Sequence, residues 1–157
     1  MKRNAFLPLM LAALFVITSC SKDKEDPTPV TKTKEELLTQ HAWKMEEITH
    51  VENNSQIYYK RGGNTNTTNF DNDKITFLAN GTGTYSPTPA QTLNLTWQFT
   101  NTEKTKMNIV ITFSASIVLT LKCFEVELSD NRFFCVNNYT NTSSQPVLGS
   151  VYRTPFN

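Results

Sequence analysis

Two stretches in the middle of the chain alternate apolar and polar residues, and that alternation constrains the fold more than any other feature. Leu93, Leu95, Trp97 and Phe99 alternate with Asn94, Thr96, Gln98 and Thr100. Met107, Ile109, Ile111 and Phe113 follow, separated by Asn108, Val110 and Thr112. A strand sends successive side chains to opposite faces, so each stretch reads as a strand with one buried face. Asn80-Gly81 lies between two further strand-like runs, residues 74–78 and 82–85. Asn-Gly is the strongest short hairpin signal, because both residues tolerate a positive φ.

The run from residue 117 to 128 changes phase. Ile117, Leu119 and Leu121 are apolar on odd positions, whereas Phe124, Val126 and Leu128 are apolar on even ones. A one-residue slip turns every later side chain to the opposite face, so the pattern predicts a β-bulge or sharp bend near Lys122-Cys123. Ser129-Asp130-Asn131 then turns the chain into a strand over 132–136. Further strands are expected at 43–49, 56–60 and 148–153. Residues 61–73 are rich in Gly, Asn and Thr and apolar only at Phe70, which predicts a long, mobile loop. Thr33-Lys34-Glu35-Glu36 matches a capping box, so one short helix should start there and fade near His41. The ten Phe and many Thr suit strands. Together these elements predict an all-β domain over residues 34–157. The expected form is a small antiparallel up-and-down barrel of about eight strands with a short N-terminal helix; a sandwich is the competing arrangement.

The start of the chain fixes a compartment rather than a reaction. Lys2 and Arg3 precede an apolar stretch from Ala5 to Ile17, and small Ser19 precedes Cys20. A basic start, a short apolar run and a small residue before the break describe a signal peptide over residues 1–19. The apolar run is too short to span a bilayer comfortably. Ile17-Thr18-Ser19-Cys20 resembles the bacterial lipobox, which implies lipidation of Cys20; the alternative is an ordinary signal peptide with a chance Cys. Two acyl chains already make anchoring stable, at about 0.8 kcal/mol per buried methylene. Residues 20–33 are polar, contain Pro27 and Pro29, and read as a flexible tether. The acidic residues just after Cys20 resemble the surface-export signal of Bacteroidetes lipoproteins; a solvated spacer is the simpler reading. These resemblances imply an expected location at the bacterial outer membrane, lipid-anchored, facing the periplasm or the cell surface. Of 15 Lys and Arg, two lie in the leader, which leaves 13 against 14 Asp and Glu, a net charge near −1. No basic stripe is visible, so nucleic acid is not an expected partner.

Four runs taken in order carry a family resemblance. They are residues 37–43 (a short helix into Trp43), 75–85 around Asn80-Gly81, 95–99 around Trp97, and 124–133 ending in Ser129-Asp130-Asn131-Arg132-Phe133. Their order and spacing resemble the lipocalin-like domains of Bacteroidetes lipoproteins, over about residues 35–153. The resemblance implies a small antiparallel barrel with an internal cavity and a fold more than a function. The Gly-x-Trp start of true lipocalins is replaced here by His41-Ala42-Trp43.

Candidate site residues are few. Trp43 and Trp97 read as core aromatics that plug or floor a small barrel; lining a pocket for an apolar ligand, together with Phe77 and Phe99, is the alternative. Cys123 and Cys135 fall on neighbouring strands and would meet an oxidising compartment, so a disulfide is possible between them if a shift or the bulge closes their diagonal separation. Glu46 and His50 share a strand face, as do Glu125 and Glu127; exposed polar faces account for both pairs more simply than acid–base chemistry does. Tyr58 and Tyr59 fit packing at a solvent edge, or stacking on a sugar. Cys-x-x-Cys, clustered His, Gly-x-Ser-x-Gly and phosphate or dinucleotide loops are all missing, so no metal, cofactor or enzyme activity is expected. The expected function is a non-enzymatic binding module for a small apolar ligand. The alternative is an accessory or interaction protein whose filled barrel holds a protein or glycan partner through its loops.

Overall fold

A computed structural model describes residues 31–52, 55–140 and 145–156. The leader, Cys20 and most of the tether lie outside the described residues. The chain opens with helix α1 (Lys34–Thr39). Nine strands follow: β1 (Ala42–Glu52), β2 (Ser55–Lys60), β3 (Lys74–Phe77), β4 (Thr82–Thr88), β5 (Gln91–Phe99), β6 (Met107–Ser114), β7 (Ile117–Ser129), β8 (Arg132–Thr140) and β9 (Pro146–Pro155). The sheet runs in the order β2-β1-β3-β4-β5-β6-β7-β8-β9, every pairing is antiparallel, and β9 returns to β1. Eight strands therefore close into an up-and-down barrel, and β2 continues the wall as a hairpin on β1. Closure leaves the barrel without the free edge that an open sheet would carry.

β1 makes closure possible because it is long enough to serve several neighbours. One of its edges pairs with β9 from Trp43 to Val51. The other pairs first with β3, through Ala42–Lys44, and then with β2, through Glu47–Glu52. The step between β3 and β2 is covered by Arg61. Its backbone N–H donates to Glu46 O at 2.8 Å, and its Nε and Nη2 donate to Met45 O at 3.0 and 2.6 Å. Backbone carbonyls left by the missing strand are thus satisfied by one residue.

The hairpin at Asn80-Gly81 forms, but with a different turn from the type I′ expected for Asn-Gly. Only Gly81 adopts a positive φ, +82°. Asn80 instead uses its Oδ1 to accept from the backbone N–H of Thr82 at 3.0 Å and from its hydroxyl at 2.7 Å. The capping box also forms: Thr33 Oγ1 accepts from Glu36 N–H, and the Glu36 carboxylate accepts from Thr33 N–H.

The phase change in β7 is real, but the bulge falls later than Lys122-Cys123. The register shifts between Phe124 and Glu127, and Glu125 takes φ +51°. Cys123 and Val126 are both buried, so two residues separate successive inward positions there. Phe124 misled the pattern: it precedes the bulge and lies half-buried outside, opposite Val136. The bulge bends β7 over the barrel end, where Val126 N–H donates to Thr105 O at 2.9 Å.

Residues 61–73 form a loop, as their composition indicates, but a tied one. Thr67 N–H donates to Tyr58 O at 2.9 Å, and Asn66 bonds both backbone groups of Lys60. Tyr59 is fully buried, packs against Phe70 and donates to Asp71 Oδ1 at 2.8 Å. That bond and the burial are at odds with an edge role for Tyr59.

Candidate functional site

The two barrel ends differ. The connections β3–β4, β5–β6 and β7–β8 lie at one end together with α1, which we call the floor. The connections β1–β2, β4–β5, β6–β7 and β8–β9 lie at the other, the rim.

The floor is an aromatic chain. Trp43 meets Phe133, Phe133 meets Phe77, Phe77 meets Trp97 and Trp97 meets Phe99. All four contacts are edge-on, with centroids 5.8–5.9 Å apart. Such tilted pairs add stability beyond the area they bury. Trp43 Nε1–H donates to Leu38 O at 2.8 Å and holds the end of α1; Trp97 Nε1–H donates to Leu78 O at 3.0 Å and Thr82 O at 3.1 Å. Lys104 and Glu35 form an ion pair that ties α1 to the β5–β6 connection. Lys32 pairs with Asp130 at the β7–β8 turn, and Lys32 together with Gln40 lowers the Asp130 pKa.

Above the floor the barrel is not filled. A cavity of about 170 Å³ lies between walls formed by Met45, Ile48, Ile75, Ile109, Ile111, Leu119, Leu121 and Val151. Trp43, Phe77, Trp97 and Phe99 do not line it: the aromatics chosen as pocket residues are the packed floor beneath, and Phe133 alone of that chain reaches the cavity. Phe70, carried by the 61–73 loop, also lines it. Among the described residues β2 has no pairing with β4, so this loop closes the wall there.

Three polar groups face the cavity at different depths. Lowest is Arg153, a buried residue whose guanidinium donates to both carboxylate oxygens of buried Asp73, one at 3.3 Å. Burial alone would disfavour the Arg153 charge, but the adjacent Asp73 carboxylate outweighs it and raises the pKa. Tyr85 lies beside the pair; burial first, and then the Asp73 charge, push its hydroxyl well above the usual range. Next come Cys123 and Cys135, which are free, buried thiols. The turn is shorter than expected, with Ser129 opposite Arg132, so Cys123 faces Asn137; the bulge still leaves the two sulfurs on one face as diagonal neighbours. Hydrogen bonding between the thiols, and then burial, raise the Cys123 pKa. Highest are His50, Asn137 and Tyr139, with Tyr139 Oη 3.4 Å from His50 Nδ1 and the rings edge-on at 5.6 Å.

Of the polar pairs noted from spacing, Glu125 and Glu127 are exposed, as the simpler reading has it, whereas Glu46 and His50 do not share an exposed face. A register shift between Met45 and Glu47 separates Glu46 from His50. Glu46 lies 3.6 Å from Arg61, whereas His50 is buried and lines the cavity. Glu125 and Glu127 are exposed on the two sides of the buried bulge residue Val126. His41 lies edge-on to Trp43 at 5.8 Å.

Asp73, Asn137 and Tyr139 were not recognisable as site residues from short-range pattern. Asn137 and Tyr139 continue the inward odd positions of Phe133 and Cys135, so a longer β8 would have placed them. Arg153 follows Val151 at an inward position and signals a buried partner, but not which one.

No protein-family model matches the chain, and no curated protein matches it significantly. Among the described residues no group of three or more His, Cys, Asp or Glu could hold a metal ion, and no helix is long and apolar enough to cross a membrane.

Proposed function

We propose that the chain is a lipid-anchored envelope lipoprotein, of the lipocalin-like kind found in Bacteroidetes, whose barrel binds a small apolar molecule without chemical turnover. The observation that carries this reading is the cavity of about 170 Å³ with mostly aliphatic walls above an aromatic floor. A cavity of about 150 Å³ lined by aliphatic and aromatic side chains stays dry and takes up benzene. The lipobox-like run ending at Cys20 supports attachment to the outer membrane, on its periplasmic or outer side.

Native mass spectrometry of protein extracted from its own membrane tests the binding reading. The expected result is a stoichiometric small apolar adduct that disappears from Ile111→Phe. An empty barrel that also takes up no added apolar compound would overturn it. Cys20→Ser tests the anchor: the variant should leave the membrane fraction, and firm retention would count against lipidation.

A second reading has its own support. Val51, Phe113, Ile117, Val118 and Leu148 are large apolar residues exposed around the rim. They would suit an accessory protein that holds a protein or glycan partner through its loops. The 61–73 loop is a poor handle for testing that idea by deletion, because it supplies Asp73 to the core.

A further inference from the structure

The upper end of the cavity contains a built polar site. Asn137 is 3% exposed and lines the cavity, and its Oδ1 has no hydrogen-bond partner among the described residues. A buried acceptor left in that state costs about 1–3 kcal/mol. Leu or Val at this inward strand position would avoid the cost. Unsatisfied buried groups are rare enough that each needs a specific cause.

The surroundings of Asn137 are arranged around it. His50, Gly149 and Asn137 stand opposite one another across β1, β9 and β8. A Cβ at residue 149 would collide with Thr49 O and with Cδ2 of the His50 ring. The missing side chain of Gly149 therefore lets His50 lie against β9, on the row of Asn137. Tyr139, two residues beyond Asn137 on the same face, meets His50 edge-on. The result is a small polar shelf of His50, Asn137 and Tyr139 above an aliphatic chamber. Four residue steps along β9 lead from Gly149 to Arg153, so the shelf lies about 13 Å along the strand from the Arg153–Asp73 pair.

We propose that this shelf recognises the single O–H group of a neutral, one-ended ligand, a phenol or a short-chain alcohol, whose apolar body fills the chamber below. This rests on the binding reading above and specifies its ligand class. Asn137 Oδ1 is an acceptor, so a ligand that satisfies it brings a donor. No carboxylate lines the cavity to balance an ammonium group. A ligand carboxylate would find the Arg153 guanidinium already engaged by Asp73 and would be repelled by the Oδ1 lone pairs. A neutral hydroxyl meets neither difficulty. The volume suits a benzene-sized body.

Calorimetric titration of the purified full chain with toluene and with p-cresol tests the assignment, because the two ligands differ by one hydroxyl. The expected result is that p-cresol binds about tenfold more tightly, the scale of one net hydrogen bond. In Asn137→Leu the preference should vanish while toluene binding persists. Toluene binding without preference for p-cresol in the natural chain would overturn the shelf assignment and leave the apolar cavity standing, as would a preference that survives in Asn137→Leu. Failure of both compounds to bind would overturn the cavity reading and the shelf with it. The comparison within the natural chain decides the matter even if the Leu variant misfolds.

Discussion

The floor and the chamber are built from the same strands, yet they solve opposite problems. At the floor five aromatic rings interlock edge to edge, two indole N–H groups find carbonyls, and α1 covers the end. In the chamber the walls are mostly aliphatic, the loop over residues 61–73 contributes Phe70 beside β2, and a buried acceptor is left without a partner among the described residues. Stability is concentrated where the barrel is closed, and this lets the other end keep an unfilled space. Interiors are otherwise packed like organic crystals, so a hole of this size needs support from elsewhere in the molecule.

Substitutions that treat both ends alike should expose this contrast. The largest effect is expected from Trp43→Ala, which opens a hole in the floor and removes the anchor of α1; chemical denaturation should show a loss of about 3–5 kcal/mol. The matching truncation in the chamber, Leu119→Ala, removes a half-buried side chain beside existing space and should cost below about 2 kcal/mol. Equal losses would break the comparison. Asp73→Ala tests the boundary between the two regions. It leaves the Arg153 charge buried and unpaired, and should cost about 3–5 kcal/mol, whereas an isolated surface pair is worth about 1 kcal/mol or less.

Adding volume should give the opposite ranking. Val126→Phe at the floor should cost about 1–3 kcal/mol through overpacking. Ile111→Phe projects into free space and should change stability by less than about 1 kcal/mol in either direction while abolishing uptake of apolar probes. The smallest effect at neutral pH concerns the tyrosines. Tyr59 is pushed up to about 12, first by burial and then by its bond to Asp71, and Tyr85 is raised as well. Above pH 10 the unfolded chain loses phenolic protons that the folded chain keeps. Stability is therefore complete below pH 10 and should fall as pH rises toward 12. Phenolate absorbance followed against pH should show two tyrosines that ionise only as the barrel opens.

The fold was legible because its information is local and periodic. Leu93 to Phe99, Met107 to Ile111, the capping box at Thr33 and the turn at Asn80-Gly81 each carry their own structural instruction. Closure by eight strands follows from their number and short connections. The chamber was not legible for the same reason. The apolar pattern stops at Val136 in β8 and at Ile48 in β1, short of Asn137 and His50. Polar residues at strand ends look like the onset of a loop, and only pairing across the barrel shows that they face inward. Asp73 was hidden more deeply. It closes a loop of Asn, Gly and Thr, and its partner lies 80 positions away. Trp43 and Trp97 illustrate the remaining ambiguity: large aromatics at inward positions suit a floor or a pocket equally well until the neighbouring strands show which end of the barrel they occupy.

The pairing of the first strand with the last has a practical corollary. Phe156 N–H donates to Ala42 O at 2.7 Å, and Lys32 is held at the turn between β7 and β8. Both ends of the described polypeptide therefore emerge at the same pole. A fluorophore, a bead or a second protein joined before Thr31 or after Phe156 is carried on that pole. Immobilised by either terminus, this barrel would turn its rim, with Val51, Ile117, Val118 and Leu148 exposed, away from the support.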